Sequence, residues 1–317
     1  MSKTSSEAGS LVVVACCCLV LFIVGAGAAP GTPSAFRDIF IGRCEDYKLG
    51  GINKLADLSE LSSKNCSELW ELFSVAWLGK EPCDVEPNDY KDFVESASIT
   101  IPKDMSNFWD GWDIYDTVRS YSREGQRTWT LDYTLIGYLI NGFYFCGDGK
   151  GGVNTESCPD DGECGFAVGA VDAFWAEASK HFSISAEGLS RVFFNSSRPG
   201  GPFQTEESFF SEFELCNLTP EKISLMDIYV LTDVRQSPQH DCDSVSINNL
   251  KSILDSKSIP YNCWDNPRDV FHQLCIDYDD HEDCTFLNDD GAVHKQSFFL
   301  ITCIAFIVLQ FTTKDTS

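Results

Sequence analysis

The sequence predicts an α+β (α/β) molecule of two lobes. A helical N-terminal subdomain lies beside a C-terminal subdomain with a small, mostly parallel sheet flanked by helices, and five disulfides close the whole. Three observations predict it. In the first half, apolar residues recur at helical spacing. In the second, short runs rich in aromatic and β-branched residues alternate with helical patterns, the arrangement of strands covered by helices. The chain also carries 15 cysteines in 317 residues, which points to an oxidising compartment.

The helical lobe is expected over 36–102 and 130–186, and the α/β lobe over 103–129 and 187–285. Ser67 can cap a helix over 68–78, where Leu69, Leu72, Phe73, Ala76 and Trp77 recur at helical spacing; Trp70 and Trp77 read as core. The stretch 131–145 is apolar on most sides and therefore expected to be buried. Phe174-Trp175 opens a further helix and by itself reads as core. Strands are expected over 191–195, 209–215 and 227–234. A helix follows over 247–254, then another announced by Asn266 as cap and Pro267 at its first position, with Val270, Phe271 and Leu274 inward. A cleft between the lobes is the default place for a site.

Both ends are apolar and read as processing signals. The run 11–24 follows a short start containing Lys3 and leads into Gly25-Ala26-Gly27-Ala28, a secretory signal peptide over 1–28 cut after Ala28. A signal anchor is disfavoured because the apolar run is short. At the other end, 289–317 reads as a GPI-attachment signal, with its apolar tail at 297–311; a short membrane anchor is the alternative. The chain is thus expected in the secretory pathway, at the cell surface or in the lumen of secretory vesicles. Cys16, Cys17 and Cys18 leave with the leader and Cys303 lies in the tail, so eleven cysteines remain. Ten can pair and one is left over. Sequons at Asn65, Asn195 and Asn217 agree with that route.

Composition excludes several functions. With 23 Lys+Arg against 48 Asp+Glu, a net charge of −25, the surface repels a phosphate backbone, and there is no basic stripe for nucleic acid. Five histidines, at 181, 240, 272, 281 and 294, show no paired-ligand spacing, so no metal is expected. The loop GDGKGG at 147–152 matches GxGxxG, yet no helical pattern opens after it. It lies between Cys146 and Cys158 and reads as a disulfide-closed loop. No GxSxG occurs.

Carboxylates and aromatics are what remain. In SFFSEFELCNLT, 208–219, a strand would place Phe210, Glu212, Glu214 and Cys216 on one face and Phe209, Ser211 and Phe213 on the other. A carboxyl near apolar surface and near another carboxylate is disfavoured as an anion, and such groups cluster at working sites. An edge strand with a wet face carrying both glutamates fits the same pattern somewhat better. Phe108-Trp109-Asp110-Gly111-Trp112 is ambiguous in the same way, since two tryptophans in a polar stretch are awkward as core and one could stack on a base.

Several stretches together resemble the ADP-ribosyl cyclase family: IGRCEDY (41–47), CSELW (66–70), PCD (82–84), FWDG (108–111), TLDYTLIGY (130–138), CPDDGEC (158–164), FW (174–175), SAEG (185–188), SFFSEFELCNLT (208–219) and NCWDNPR (262–268). They run in family order from about 36 to 285, and the invertebrate members are the most similar. The resemblance implies a two-lobed ectoenzyme that acts on NAD. It places the catalytic glutamate at Glu214 and a second active-site acid at Asp132. It places cleft tryptophans at Trp109 and Trp175, with Trp112 a competitor because the segment after Trp109 is about two residues longer here. Ser179, Asn141 and Asp110 fall at substrate-contacting positions. Phe209 falls where cyclising members carry an aromatic residue, which favours cyclisation. It implies the bridges Cys44–Cys66, Cys83–Cys164, Cys146–Cys158, Cys242–Cys263 and Cys275–Cys284, leaving Cys216 odd. The family usually carries TLEDT where this chain has Thr130-Leu131-Asp132-Tyr133-Thr134, so Asp132 is one methylene short and the product ratio is open.

The implied activity is cleavage of the nicotinamide–ribose bond with cyclisation to cyclic ADP-ribose, a messenger in calcium signalling. NAD(P) hydrolysis and nicotinic acid base exchange are side activities. NAD and NADP are substrates and no cofactor is implied; the resemblance leaves room for a homodimer. A secreted binding protein that keeps the fold without catalysis is the rival class, disfavoured by Glu214, Trp109 and Trp175 occurring together.

Overall fold

The computed structural model describes residues 29–50, 55–111, 114–123, 125–232, 237–280 and 284. The expected leader, the C-terminal anchor segment and Trp112 lie outside the described residues. Among these residues no helix is long and apolar enough to cross a membrane.

A two-residue strand β1 (Ala29–Pro30) precedes α1 (Phe36–Lys48), which buries Phe36, Phe40, Cys44 and Tyr47, a single stripe at helical spacing. Then come α2 (Leu58–Ser62), α3 (Cys66–Val75) and α4 (Lys91–Ala97). The cap of α3 is Asn65, not Ser67: its side chain accepts from the N–H groups of Ser67 and Glu68 at 3.1 and 3.3 Å. The helix therefore begins two residues earlier than the sequence suggested. Strand β2 (Asn107–Asp110) leads to α5 (Tyr115–Ser122).

The apolar stretch 131–145 is not one helix. A 3₁₀ turn, Leu131–Tyr133, precedes α6 (Leu135–Ile140), because the Thr134 hydroxyl caps a new start by accepting from Gly137 N–H. Strand β3 (Ser157–Cys158) pairs antiparallel with β1, and α7 (Ala170–Ser185) follows. The rings of Phe40, Phe93, Phe145 and Phe174 lie 5.1–6.0 Å from Phe73, forming the centre of this helical part.

Strands β4 (Gly188–Asn195), β5 (Ile223–Leu231) and β6 (Tyr261–Asp265) join β2 in a four-stranded, wholly parallel sheet of order β2-β4-β5-β6. Helices α8 (Val245–Lys257) and α9 (Arg268–Asp277) supply crossover and cover. Both faces are covered, as parallel sheets require. Val192 and Phe194 face the main core, while Phe193 packs with Val118 of α5 and Val270 and Phe271 of α9. Pro267 is the cap residue of α9, not its first helical position. Asn266 instead adopts a left-handed conformation (φ 45°) and its side chain accepts from Thr232 N–H, clasping the end of β5.

The expected strand over 209–215 is overturned. Residues Phe210–Glu214 form a π-helical turn, continued by a 3₁₀ turn, Leu215–Asn217. Ser208 starts it: its hydroxyl accepts from Ser211 N–H at 3.1 Å and its carbonyl from Glu212 N–H at 3.0 Å. The aromatics satisfy this winding as well as they satisfied alternation. Phe210 enters the core against Phe108, Phe194 and Phe203 at 5.6–6.3 Å, while Phe209 and Phe213, four apart, both meet Phe166.

All five disulfides expected from the resemblance are present, and Cys216 is the free cysteine among the described residues. Cys146–Cys158 closes the glycine-rich loop as expected. There Asp148 accepts from the N–H groups of Lys150 and Gly152 at 2.8 Å, occupying two of the donors a phosphate would need.

Candidate active site

The site forms where the carboxyl ends of β2 and β4 meet α7 and the turn after β4, the edge at which parallel sheets bind ligands. Winding separates the two suspect glutamates. Glu212 is exposed, and its carboxylate accepts from Glu207 N–H at 2.9 Å. Glu214, four residues beyond Phe210, is carried inward with it and is 6% exposed. Burial pushes its carboxyl up to about 8, opposed by the neighbouring Ser179 hydroxyl and reinforced by the negative charge of Asp110. Cys216 does not share its face: the thiol is exposed and donates to Glu212 O at 3.0 Å.

Helix α7 supplies two expected residues from one face, half-buried Trp175 and, one turn later, buried Ser179. The ring of Trp175 meets Phe174 edge-on at 5.0 Å, which ties it to the aromatic core. Strand β2 supplies half-buried Trp109 and buried Asp110. Asp110 accepts from the Ser208 hydroxyl at 2.9 Å and pairs with Arg198 at 2.7 Å, both through Oδ2. Its carboxyl is raised by burial and drawn back by Arg198. Phe209 is half-buried, against Phe166 and Phe213.

A second network surrounds Asp132, also 6% exposed. Oδ1 accepts from the Thr130 hydroxyl, and Oδ2 from Tyr115 OH at 3.1 Å. Tyr115 OH accepts in turn from Asn141 Nδ2 at 3.1 Å. Arg119 Nε stands 3.8 Å from Asp132 and donates to Tyr133 OH at 2.9 Å. Burial raises the Asp132 carboxyl, and Thr130, Arg119 and Tyr115 oppose it. The Trp109 and Tyr115 rings lie 5.1 Å apart, which joins this network to the Asp110 and Glu214 group. Tyr133, where the family has an acid, is thus the acceptor for an arginine.

Of the expected residues, Glu214, Ser179 and Asp110 interact in one group and Asp132 and Asn141 in the other, with Trp109 linking them; Trp175 and Phe209 pack on aromatic neighbours of their own. Tyr115, Arg119, Arg198 and Ser208 were not anticipated. Tyr115 and Arg119 stand one turn apart on α5, a spacing visible in the sequence. Arg198 was visible only as a lone cation in a glycine–proline stretch. Chemically, the arrangement offers a buried carboxyl poised to become an anion, hydroxyl donors beside it and half-buried indoles for stacking. That set stabilises a developing cation next to a flat ring. Among the described residues no three His, Cys, Asp or Glu side chains are grouped to hold a metal ion.

Comparison with known proteins identifies the family. The family model described as ADP-ribosyl cyclase matches residues 33–284. The ADP-ribosyl cyclase/cyclic ADP-ribose hydrolase of Aplysia californica is 34% identical over 248 residues, 78% of this chain and 85% of that protein. ADP-ribosyl cyclase/cyclic ADP-ribose hydrolase 2 of Homo sapiens is 32% identical over 274 residues, 86% of this chain and 82% of that protein. A crystal structure of Aplysia cyclase complexed with substrate NGD and product cGDPR superposes with a TM-score of 0.71 at 32% identity, covering 81% of this chain and 99% of that one.

Proposed function

The chain belongs to the ADP-ribosyl cyclase family, and on that premise we propose that it cleaves the nicotinamide–ribose bond of NAD and closes the remainder to cyclic ADP-ribose. The observation that carries this reading is the buried Glu214 carboxyl, set beside Ser179 and Asp110 at the carboxyl edge of the sheet.

Nicotinamide leaves as a neutral ring, taking the electron pair of the bond to the ribosyl carbon, so little acid catalysis is required. The ribosyl carbon becomes positive. Glu214, as the anion, stabilises it by charge and by accepting from ribose hydroxyls, or bonds to it covalently. Trp109 and Trp175 stack the departing ring and then the adenine, whose ring nitrogen attacks the same carbon. Closure is favoured as an intramolecular step, provided water is kept away. Phe209 on the apolar cluster with Phe166 and Phe213 supports that exclusion. Water as acceptor gives ADP-ribose, and nicotinic acid gives base exchange. Asp132 tunes the division between these outcomes, Asn141 holds Tyr115 against it, and Ser179 and Asp110 interact with Glu214. The reaction needs no cofactor, since NAD and NADP are its substrates.

We place the protein in the secretory pathway, which the disulfides support; GPI attachment at the C-terminus is the finer proposal. Of the three sequon asparagines, Asn65 is exposed, Asn217 half-buried and Asn195 buried, so Asn65 is the favoured glycan site. The test is incubation of the secreted protein with a fluorescent cyclisable NAD analogue. Fluorescence that grows with wild-type protein and is absent with Glu214→Gln supports the reading; substantial turnover by a folded Glu214→Gln protein would sink it.

A further inference from the structure

Three segments meet at one carboxylate. Asp110 ends β2, directly after Trp109. Ser208, which donates to it at 2.9 Å, opens the turn that ends at Glu214 and also caps that turn through Ser211 N–H. Arg198, which pairs with it at 2.7 Å, lies in the loop after β4. The Asp110 side chain is 9% and the Arg198 side chain 20% exposed, so the pair is screened little by solvent. A buried carboxylate without its cation would be costly.

We propose that Asp110, clamped by Arg198 and Ser208, is a positioning residue that fixes Trp109 against Glu214 and sets the charge in which Glu214 works. The inference rests on the reading of Glu214 as the catalytic carboxyl. It follows from geometry: the Ser208–Asp110 hydrogen bond ties the start of the glutamate's turn to the tryptophan's strand. It also follows from charge: Asp110 is the anion that acts on Glu214, and Arg198 cancels part of its field. Of the other charges around the turn, Glu212 is exposed and accepts from Glu207 N–H, and Lys257 of α8 donates to the Cys216 carbonyl at 2.9 Å. On α7, Ser179 faces Glu214 as a hydroxyl, Glu177 and Lys180 pair with each other at 2.9 Å, and Asp172 and His181 interact with other partners. The Leu215–Asn217 turn carries no ionisable side chain other than the exposed Cys216 thiol.

The test compares Asp110→Asn, Arg198→Gln and Arg198→Lys, each also combined with Glu214→Gln. The first readout does not depend on activity. It is the melting temperature against pH, taken as the difference between each protein and its Glu214→Gln counterpart, which locates the loss of the last proton from the Asp110–Glu214 pair. Asp110→Asn removes the negative neighbour and is expected to move that midpoint down by about half a pH unit or more. Arg198→Gln removes the cation and moves it up, and Arg198→Lys restores it. The second readout is nicotinamide release, in which Asp110→Asn lowers kcat more than it raises KM, because the spacing of Trp109 and Glu214 serves the transition state. A midpoint that stays put, or moves the same way in both neutralising variants, overturns the proposal. If Asp110→Asn does not fold, the Arg198→Gln and Arg198→Lys pair decides alone. A wild-type protein that releases no nicotinamide refutes the functional reading and leaves the thermal midpoints to decide the clamp.

Discussion

At the scale of single residues, Glu214 joins chemistry to stability. Its carboxyl is raised to about 8 in the folded protein against an ordinary value of 4.5. The folded state therefore holds the proton more tightly than the unfolded state. The resulting stability is complete below about 4.5 and is lost as pH rises to about 8, on the order of 1.4 kcal/mol per pH unit. Glu214→Gln carries no such titration, so its melting temperature should overtake that of wild type across this window and then hold a constant lead. A lead that does not grow with pH contradicts the burial of this charge. The same proton governs activity: kcat/KM for NAD should rise with pH to a plateau above about 8, and kcat should plateau lower, because the bound pyridinium cation favours the anion. Phe209→Thr should shift products from cyclic to linear ADP-ribose, read by chromatography, since it opens the apolar wall to water. Residue pattern alone left Glu212 and Glu214 equivalent, because burial depends on what the rest of the chain places over a side chain. The family resemblance distinguished them, and the winding of 210–214 supplies the physical reason.

At the scale of elements, the turn Phe210–Glu214 is set by its aromatic anchor. Phe210 is fully buried against Phe108, Phe194 and Phe203. Phe210→Ala should cost roughly 3–5 kcal/mol of stability by chemical denaturation and depress activity further by releasing Glu214. A variant as active and stable as wild type would show that the anchor does not set the turn. Cys216, two residues on, points to solvent; its alkylation should leave nicotinamide release unchanged, whereas strong inhibition would place the thiol in the cleft. Helices α3, α7, α8 and α9 and strands β4 and β5 were legible because their apolar periods are long enough to be distinctive. Strand β6 was not, since Tyr261–Asp265 is a short edge strand of mostly polar residues. The Glu214 turn reads as a strand because aromatics at 209, 210 and 213 satisfy both periods, and the choice is made by Ser208 and by the core it meets. Helix α3 starts early because Asn65 takes the cap in place of Ser67, a choice between side chains two residues apart that local pattern does not decide.

At the scale of the whole molecule, disulfides tie distant parts of the chain. Cys83–Cys164 spans a sequence separation of 81 and Cys275–Cys284 a separation of 9. Loop entropy then predicts a cost of about 4.5 kcal/mol for removing the first and about 2.7 kcal/mol for the second. Paired Cys→Ser variants melted side by side should preserve that order, and a reversed order would mean that the unfolded chain does not control their effect. The small sheet covered by helices was legible from short apolar runs alternating with helical patterns. The position of the site was legible only as a cleft, because the convergence of β2, the β4 loop and α7 on Glu214 is a property of the folded chain. The most direct test is chromatographic analysis of NAD incubated with the wild-type protein and with Glu214→Gln. Wild type should yield nicotinamide in step with cyclic ADP-ribose plus ADP-ribose, and the variant, folded with its five disulfides, should yield none. Nicotinamide release by the variant at a rate near that of wild type would contradict the assignment of Glu214 as the group that stabilises the ribosyl cation.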